Sequence, residues 1–217
     1  MHPIISSNLL WTEGIHIVYC LVGLGLFGFF LWRPALWASI GLVLFSFYFF
    51  RNPERFCPQA ANDNNILVCP ADGMVVDVQY DKNNGLMGFA QRVSIFLSPI
   101  DVHVQWAPMA GIIQEILYKP GQFTFAFLPK SSDLNEHNDV VIHNERNQKI
   151  RVRQIAGTIA RRICCWVQEN QQLAVGQKYG MIRFGSRVDI FLPNDVILAV
   201  GVGQKVFGGQ TVLGRWS

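Results

Sequence analysis

Two stretches near the N-terminus are long enough, and free enough of charge, to decide what the first quarter of this chain can become. Residues 14–32 form an uncharged run of 19 and residues 34–50 another of 17, with Arg33 alone between them. As helices rising about 1.5 Å per residue they reach roughly 25–28 Å, close to the hydrocarbon thickness of a bilayer at about 30 Å. Trp11, Trp32, Trp37 and Tyr48 stand near the ends of the runs, where amphipathic rings favour the interface. The pattern predicts a membrane-anchoring helical hairpin, spanning or re-entrant, that with its linker covers residues 1–58. A cleaved signal peptide is the alternative for the first run alone. Against it stand the missing basic n-region, the missing small-residue cleavage site and the second run that comes at once. Residues 1–14 hold no Lys or Arg, whereas Arg51 and Arg55 come after the second run. That bias predicts that the rest of the chain lies on the cytoplasmic side of a cell membrane.

Only 15% of the 217 residues are charged, against roughly 25% in soluble domains. The net charge of +3 is small and unclustered, which argues against nucleic acid as a partner and suits an anionic lipid surface. The five cysteines include no C-x-x-C pair, so neither a disulfide framework nor a zinc site is signalled, and no metal is expected. Cys164 and Cys165, in an apolar run, read as small buried hydrophobes.

Residues 59–217 read as one mainly β domain, a barrel or sandwich with few helices. Short runs rich in branched and aromatic residues recur at 73–78, 92–97, 112–117, 123–127, 139–143, 150–155, 188–192 and 196–200, with Gly, Pro, Asn or Asp at most junctions. Residues 158–167 could form a helix, although 163–167 reads equally as strand. Alternating Arg151 and Arg153 predict the polar face of a half-buried strand, and Phe123, Phe125 and Phe127 predict core. Pro70-Ala-Asp-Gly-Met-Val-Val and Pro108-Met-Ala-Gly-Ile-Ile look like halves of one pattern. Residues 200–213 resemble the glycine turn of biotinyl and lipoyl carrier domains, which implies biotinyl/lipoyl-like core elements. No Met-Lys pair is present to carry a prosthetic group, and Val206 stands where a dinucleotide-binding loop needs its third glycine.

The chain's only Gly-Ser pair, Gly185-Ser186, lies within Arg183-Phe-Gly-Ser-Arg-Val-Asp-Ile-Phe-Leu-Pro193. A serine hydroxyl behind a glycine can attack the carbonyl that precedes it, because glycine has no Cβ in the way and tolerates a strained turn. The resulting ester can eliminate and hydrolyse to an N-terminal pyruvoyl group. The same dipeptide is also an ordinary turn.

The surroundings decide between them. Tyr179 to Pro193 strongly resembles the processing site of the short prokaryotic phosphatidylserine decarboxylases, which are pyruvoyl-dependent. Phe49-Phe-Arg-Asn-Pro-Glu-Arg55, Pro70-Ala-Asp-Gly73, Phe96-Leu-Ser-Pro-Ile-Asp-Val-His103 and Arg153-Gln-Ile-Ala-Gly-Thr-Ile-Ala-Arg-Arg162 match in the same order. The resemblance implies self-cleavage into residues 1–185 and 186–217, two chains that stay associated, with Ser186 becoming the pyruvoyl cofactor. It further implies a Schiff base with the headgroup of phosphatidylserine, loss of CO₂ and release of phosphatidylethanolamine in the membrane. Asp72 and His103 match positions tied to processing and catalysis; Asp72 could orient an imidazole or simply serve the turn before Gly73. Longer bacterial relatives carry a second histidine where this chain has Trp106, so the processing base is left open between His103 and another imidazole. His137, which stands where relatives usually have arginine, is one candidate. Arg183 and Arg187, flanking the cleavage site, are candidates with His137 for the substrate carboxylate or phosphate. Two rival functions stay open: a membrane-anchored adaptor on a biotinyl/lipoyl-like barrel, and a pyruvoyl decarboxylase of a soluble amino acid. A homo-oligomer is compatible with all three.

Overall fold

Small residues decide how the N-terminal apolar runs pack. In the computed structural model, which describes residues 9–81, 83, 85–121, 134–157, 162–183 and 186–217, the chain divides into two compact units, Met1–Glu54 and Arg55–Ser217. In the first unit a π-helical turn, Leu10–Gly14, runs into helix α1, Ile15–Leu31. Trp32 alone is extended, with φ −156°, and helix α2, Arg33–Phe49, starts at once with Pro34 in its first turn, where no amide hydrogen is needed. A Cβ on Gly28 would lie 2.8 Å from the Ala35 carbonyl carbon, and one on Gly25 would lie 2.9 Å from Ser39 Oγ. The helices therefore meet where α1 carries only hydrogen. The Ser39 hydroxyl donates across this contact to the Leu21 carbonyl. Leu26, Phe30, Trp37 and Leu44 point outward, each more than half exposed. Small residues inside and large apolar ones outside suit apolar surroundings, where close backbone approach drives helix association. Residues Leu10–Leu31 are long and apolar enough to cross a membrane; α2 is shorter.

The second unit is mostly β. After the short helix α3 (Pro58–Asn62) come β1 (Ile66–Val68), β2 (Gly73–Tyr80), β3 (Gln91–Leu97), β4 (Val104–Trp106), β5 (Gly111–Lys119), β6 (His137–His143) and β7 (Lys149–Ile155). The remaining strands are β8 (Ile163–Cys165), β9 (Gln172–Leu173), β10 (Lys178–Ile182), β11 (Ser186–Leu192), β12 (Val196–Leu198), β13 (Lys205–Val206) and β14 (Val212–Trp216). An eight-stranded sheet in the order β13-β2-β3-β11-β7-β6-β5-β9 is joined by two three-stranded sheets, β1-β14-β12 and β4-β10-β8. Residues 163–165 take the strand alternative, while the strand expected at 123–127 and residues 158–161 lie outside the described residues. The two similar proline segments meet: Trp106 N–H donates to the Pro70 carbonyl and Val68 N–H to that of Pro108, both at 2.9 Å.

One face of the large sheet forms the core. Val93, Ile95, Val140, Ile142, Ile150, Val152, Val188 and Ile190 join a buried cluster with Leu67, Leu213 and Trp216 of a small sheet and Tyr179 of the other. The opposite face departs from the solvated polar stripe expected at Arg151 and Arg153. Arg153 is buried, donating to both carboxylate oxygens of its cross-strand neighbour Asp139 at 2.7 and 2.9 Å. Beside it, on the same face, Arg187 donates to both oxygens of Asp189 at 2.6 and 3.0 Å and to Ser94 Oγ at 2.8 Å. Charges can be covered there because each guanidinium has a carboxylate within bonding distance. Consequently all seven residues of β11 are buried, on both faces.

Candidate active site

Ser186 opens β11, opposite Leu97 of β3. Strand alternation puts its side chain with Val188 and Ile190, on the core face, and the residue is fully buried. Its Oγ has no hydrogen-bond partner among the described residues. A buried hydroxyl left unsatisfied costs about 1–3 kcal/mol, and such orphans are rare enough to need a reason. Phe184 and Gly185, and with them the proposed scissile carbonyl, lie outside the described residues.

A buried polar chain runs along the same face towards His103. Asn138 Nδ2 donates to Gln154 Oε1 at 3.0 Å, Gln154 Nε2 to Gln105 Oε1 at 2.8 Å, and Gln105 Nε2 to the His103 carbonyl at 2.7 Å. The same carbonyl accepts from Ile182 N–H at 3.2 Å, which ties His103 to the strand that leads into the Gly185-Ser186 segment. The His103 imidazole is buried and its Nδ1 lies 2.9 Å from the Asp101 carbonyl. A carbonyl only accepts, so this bond assigns the proton to Nδ1 and leaves Nε2 as the basic nitrogen of the neutral ring. Asp101 is itself held: one carboxylate oxygen accepts from Ser98 N–H at 2.9 Å and the other pairs with Lys205.

Asp72 is placed differently from an imidazole-orienting acid. Both oxygens bond the Arg55 guanidinium, Nη1 to Oδ1 and Nη2 to Oδ2, the latter at 2.8 Å, and Oδ1 also accepts from Gly208 N–H at 2.9 Å. Among the described residues no imidazole is a partner of this carboxylate. Arg55 lies over the Trp106 ring, 4.6 Å from its centroid, so the residue found where longer relatives have histidine supports a guanidinium. Nearby, burial pushes the Cys69 thiol far above its usual range and the Asp72 charge adds to the effect, which makes it a packed, unreactive group.

Two of the remaining candidates lie on the other side of the sheet from the Ser186 hydroxyl. Arg187 and His137 flank Ile155 on the opposite face of the sheet. Arg187 is engaged by Asp189 and Ser94. His137 directs Nδ1 to the Asn135 carbonyl at 2.7 Å, and its pKa is lowered, chiefly by burial, with Arg153 and Lys119 adding to the effect. Arg183 is half-buried, its amide bonded to the Arg162 carbonyl at 3.2 Å. Among the described residues no cluster of three His, Cys, Asp or Glu side chains could hold a metal ion.

Sequence reasoning missed Arg55, Asp101, Gln105, Asn138 and Gln154 as parts of this arrangement. Arg55 and Asp101 stood within matched motifs, which was a usable signal. Gln154 also stood within a matched motif; Gln105 and Asn138 did not, and the side-chain partner of Gln105 lies 49 residues away.

Comparison with known proteins adds an independent finding. The family model described as phosphatidylserine decarboxylase matches residues 42–214. The phosphatidylserine decarboxylase proenzyme of Desulfotalea psychrophila is 44% identical over 172 residues, 79% of this chain and 79% of that protein.

Proposed function

Because the chain belongs to the phosphatidylserine decarboxylase family, we propose that it cuts itself between Gly185 and Ser186 and then converts phosphatidylserine to phosphatidylethanolamine and CO₂. The observation that carries this reading is the buried Ser186 hydroxyl at the head of β11, unpartnered among the described residues. It fits the origin of a pyruvoyl group, whose atoms come from that residue.

The proposed base for the Ser186 hydroxyl proton is His103, whose ring is oriented by the Asp101 carbonyl. Ser186 Oγ adds to the Gly185 carbonyl carbon, and the amide nitrogen of residue 186 leaves with a proton, so an ester replaces the peptide bond. Removal of the residue 186 Cα proton expels Oγ with the carboxylate of residue 185. Water then displaces the residue 186 nitrogen as ammonia. The pyruvoyl carbonyl so formed supplies an electrophile for the substrate amine and a sink for the electrons released with CO₂. Arg183, half-buried beside the cleavage segment, is the proposed contact for the acidic headgroup. Arg187 and His137 serve this site as scaffold, holding the strands on either side of Ile155. The apolar helices anchor the enzyme in the membrane that holds its substrate and product. The charge bias of the flanking residues supports a cytoplasmic catalytic unit.

The test is the intact mass of the purified chain, with assays on phosphatidylserine vesicles and on free serine. Two pieces are expected, the smaller one lighter by one ammonia than a serine-started 186–217, with activity on the vesicles alone. Ser186→Ala is expected to leave one uncut and inactive chain. An active Ser186→Ala protein, or activity on free serine alone, refutes the reading.

A further inference from the structure

The two ends of one short segment, Lys205 to Gly208, are each gripped by an acidic residue that lies within a candidate catalytic motif, Asp101 at one end and Asp72 at the other. At one end Gly208 is held through both of its backbone groups. Its N–H donates to Asp72 Oδ1 at 2.9 Å, and its carbonyl accepts from Arg55 Nη1 at 3.0 Å. Arg55 and Asp72 are meanwhile bonded to each other in a two-pronged pair, both nearly excluded from solvent. The guanidinium rests between two rings, 4.6 Å from the centroid of Trp106 and 6.0 Å from that of Phe207. Gly208 and Gly209 lie flat on Trp106: a Cβ on Gly209 would come 2.9 Å from the indole Cδ1, and its φ of +71° is itself a glycine conformation. At the other end Lys205 pairs with Asp101, whose carbonyl fixes the proton on His103 Nδ1.

Cleavage before Ser186 would place Lys205, Phe207, Gly208 and Gly209 on the small chain, and Arg55, Asp72, Asp101, His103 and Trp106 on the large one. On that basis, which rests on the self-cleavage reading, we propose that Asp72 is a positioning residue. Together with Arg55 and Trp106 it clamps Gly208 of the small chain against the large one, and so holds the Lys205–Asp101 contact that orients His103. A carboxylate with both oxygens on a guanidinium, and one also on an amide, is a rigid anchor. Trp106 fits the same role, since an indole offers a flat face to a cation and no basic nitrogen.

The test uses the full chain in detergent with Asp72→Asn, Arg55→Lys and the double variant. Four quantities are measured: the rate of self-cleavage on denaturing gels, its dependence on pH, the urea concentration at which the small chain separates from the large one, and decarboxylation per carbonyl-bearing small chain. If the clamp is real, both single variants still cut, slowed by a similar factor of roughly ten to a hundred, the size expected when a reacting group is displaced rather than removed. The double variant is then no slower than either single one, because one unit has been broken once. The pH midpoint stays at the parent value, the small chain separates at lower urea, and kcat per carbonyl falls with KM unchanged. The proposal is overturned if Asp72→Asn abolishes cleavage or moves the pH midpoint while Arg55→Lys behaves as the parent. Asp72 would then act on the reacting atoms. Should Asp72→Asn fail to fold, Arg55→Lys decides alone: parent-like cutting and retention overturn the clamp, slow cutting with early separation supports it. A parent chain that never cuts would instead refute the self-cleavage reading, which keeps the two failures apart.

Discussion

Replacing Asp189 with alanine removes the carboxylate that takes two N–H groups of Arg187, at 2.6 and 3.0 Å, in the middle of a strand covered on both faces. The side chains of the pair are 2% and 0% exposed, so water cannot take over from the lost partner without opening the sheet. Removing one member of a buried pair costs about 3–5 kcal/mol, mostly because a charge is left in a poorly solvating place. For a unit of 163 residues, Arg55–Ser217, each kcal/mol lowers the melting temperature by about 2–4 °C. Asp189→Ala is therefore expected to melt roughly 6–20 °C below its parent. The measurement is a thermal melt in detergent with Ser186→Ala as background, so that cleavage does not blur the transition. Arg187→Met combined with Asp189→Leu is expected to recover most of the loss, since two apolar side chains of similar volume leave no charge to solvate. An Asp189→Ala melt within about 2 °C of the parent would refute the claim that the pair is buried and tightly engaged.

Cysteines placed at Gly25 and Ser39, in a chain whose Cys20 has been removed, are expected to form a disulfide seen as a mobility shift on reduction. The Cβ positions would lie 3.5 Å apart, within the range of about 3.5–4.5 Å that the bond requires, and adding Gly28→Leu is expected to abolish the link by parting the helices. His137→Gln is expected to reduce the loss of stability on acidification. Burial lowers the His137 pKa below its ordinary 6.5, so the unfolded chain binds the extra proton as pH falls through about 6.5, and folding is progressively penalised down to the folded-state pKa. Melting temperature against pH checks this; identical curves for parent and variant would count against it.

Much of the molecule can be read locally. The apolar runs at 14–32 and 34–50 are too long and too uncharged for most alternatives to a helical hairpin, and β2, β3, β5, β6, β7 and β11 coincide with runs of branched residues that hardly fit a helix. Polar alternation was less informative. Arg153 and Asp139, or Arg187 and Asp189, look on paper like a solvated face, because alternation records which side a residue points to and not what covers that side. The role of Trp106 was illegible for a different reason. It depends on Arg55, Asp72 and Gly208, and the contact between Arg55 and Gly208 joins residues 153 apart. No pattern within a window of sequence contains such a pair.

The sequence alone determined the apolar helices and the β character of the remaining chain, because each rests on short-range chemistry: transfer of uncharged side chains and backbone preference. It named Ser186 as the candidate nucleophile through the motif around Gly185. Tertiary structure decided which partners the charged and polar groups acquire. It buried Ser186 Oγ without a partner among the described residues, assigned the His103 proton through Asp101, and gave Asp72 to Arg55. Those outcomes depend on which segments of the chain pack together, and in a low-dielectric interior a charged group's partner sets what it can do.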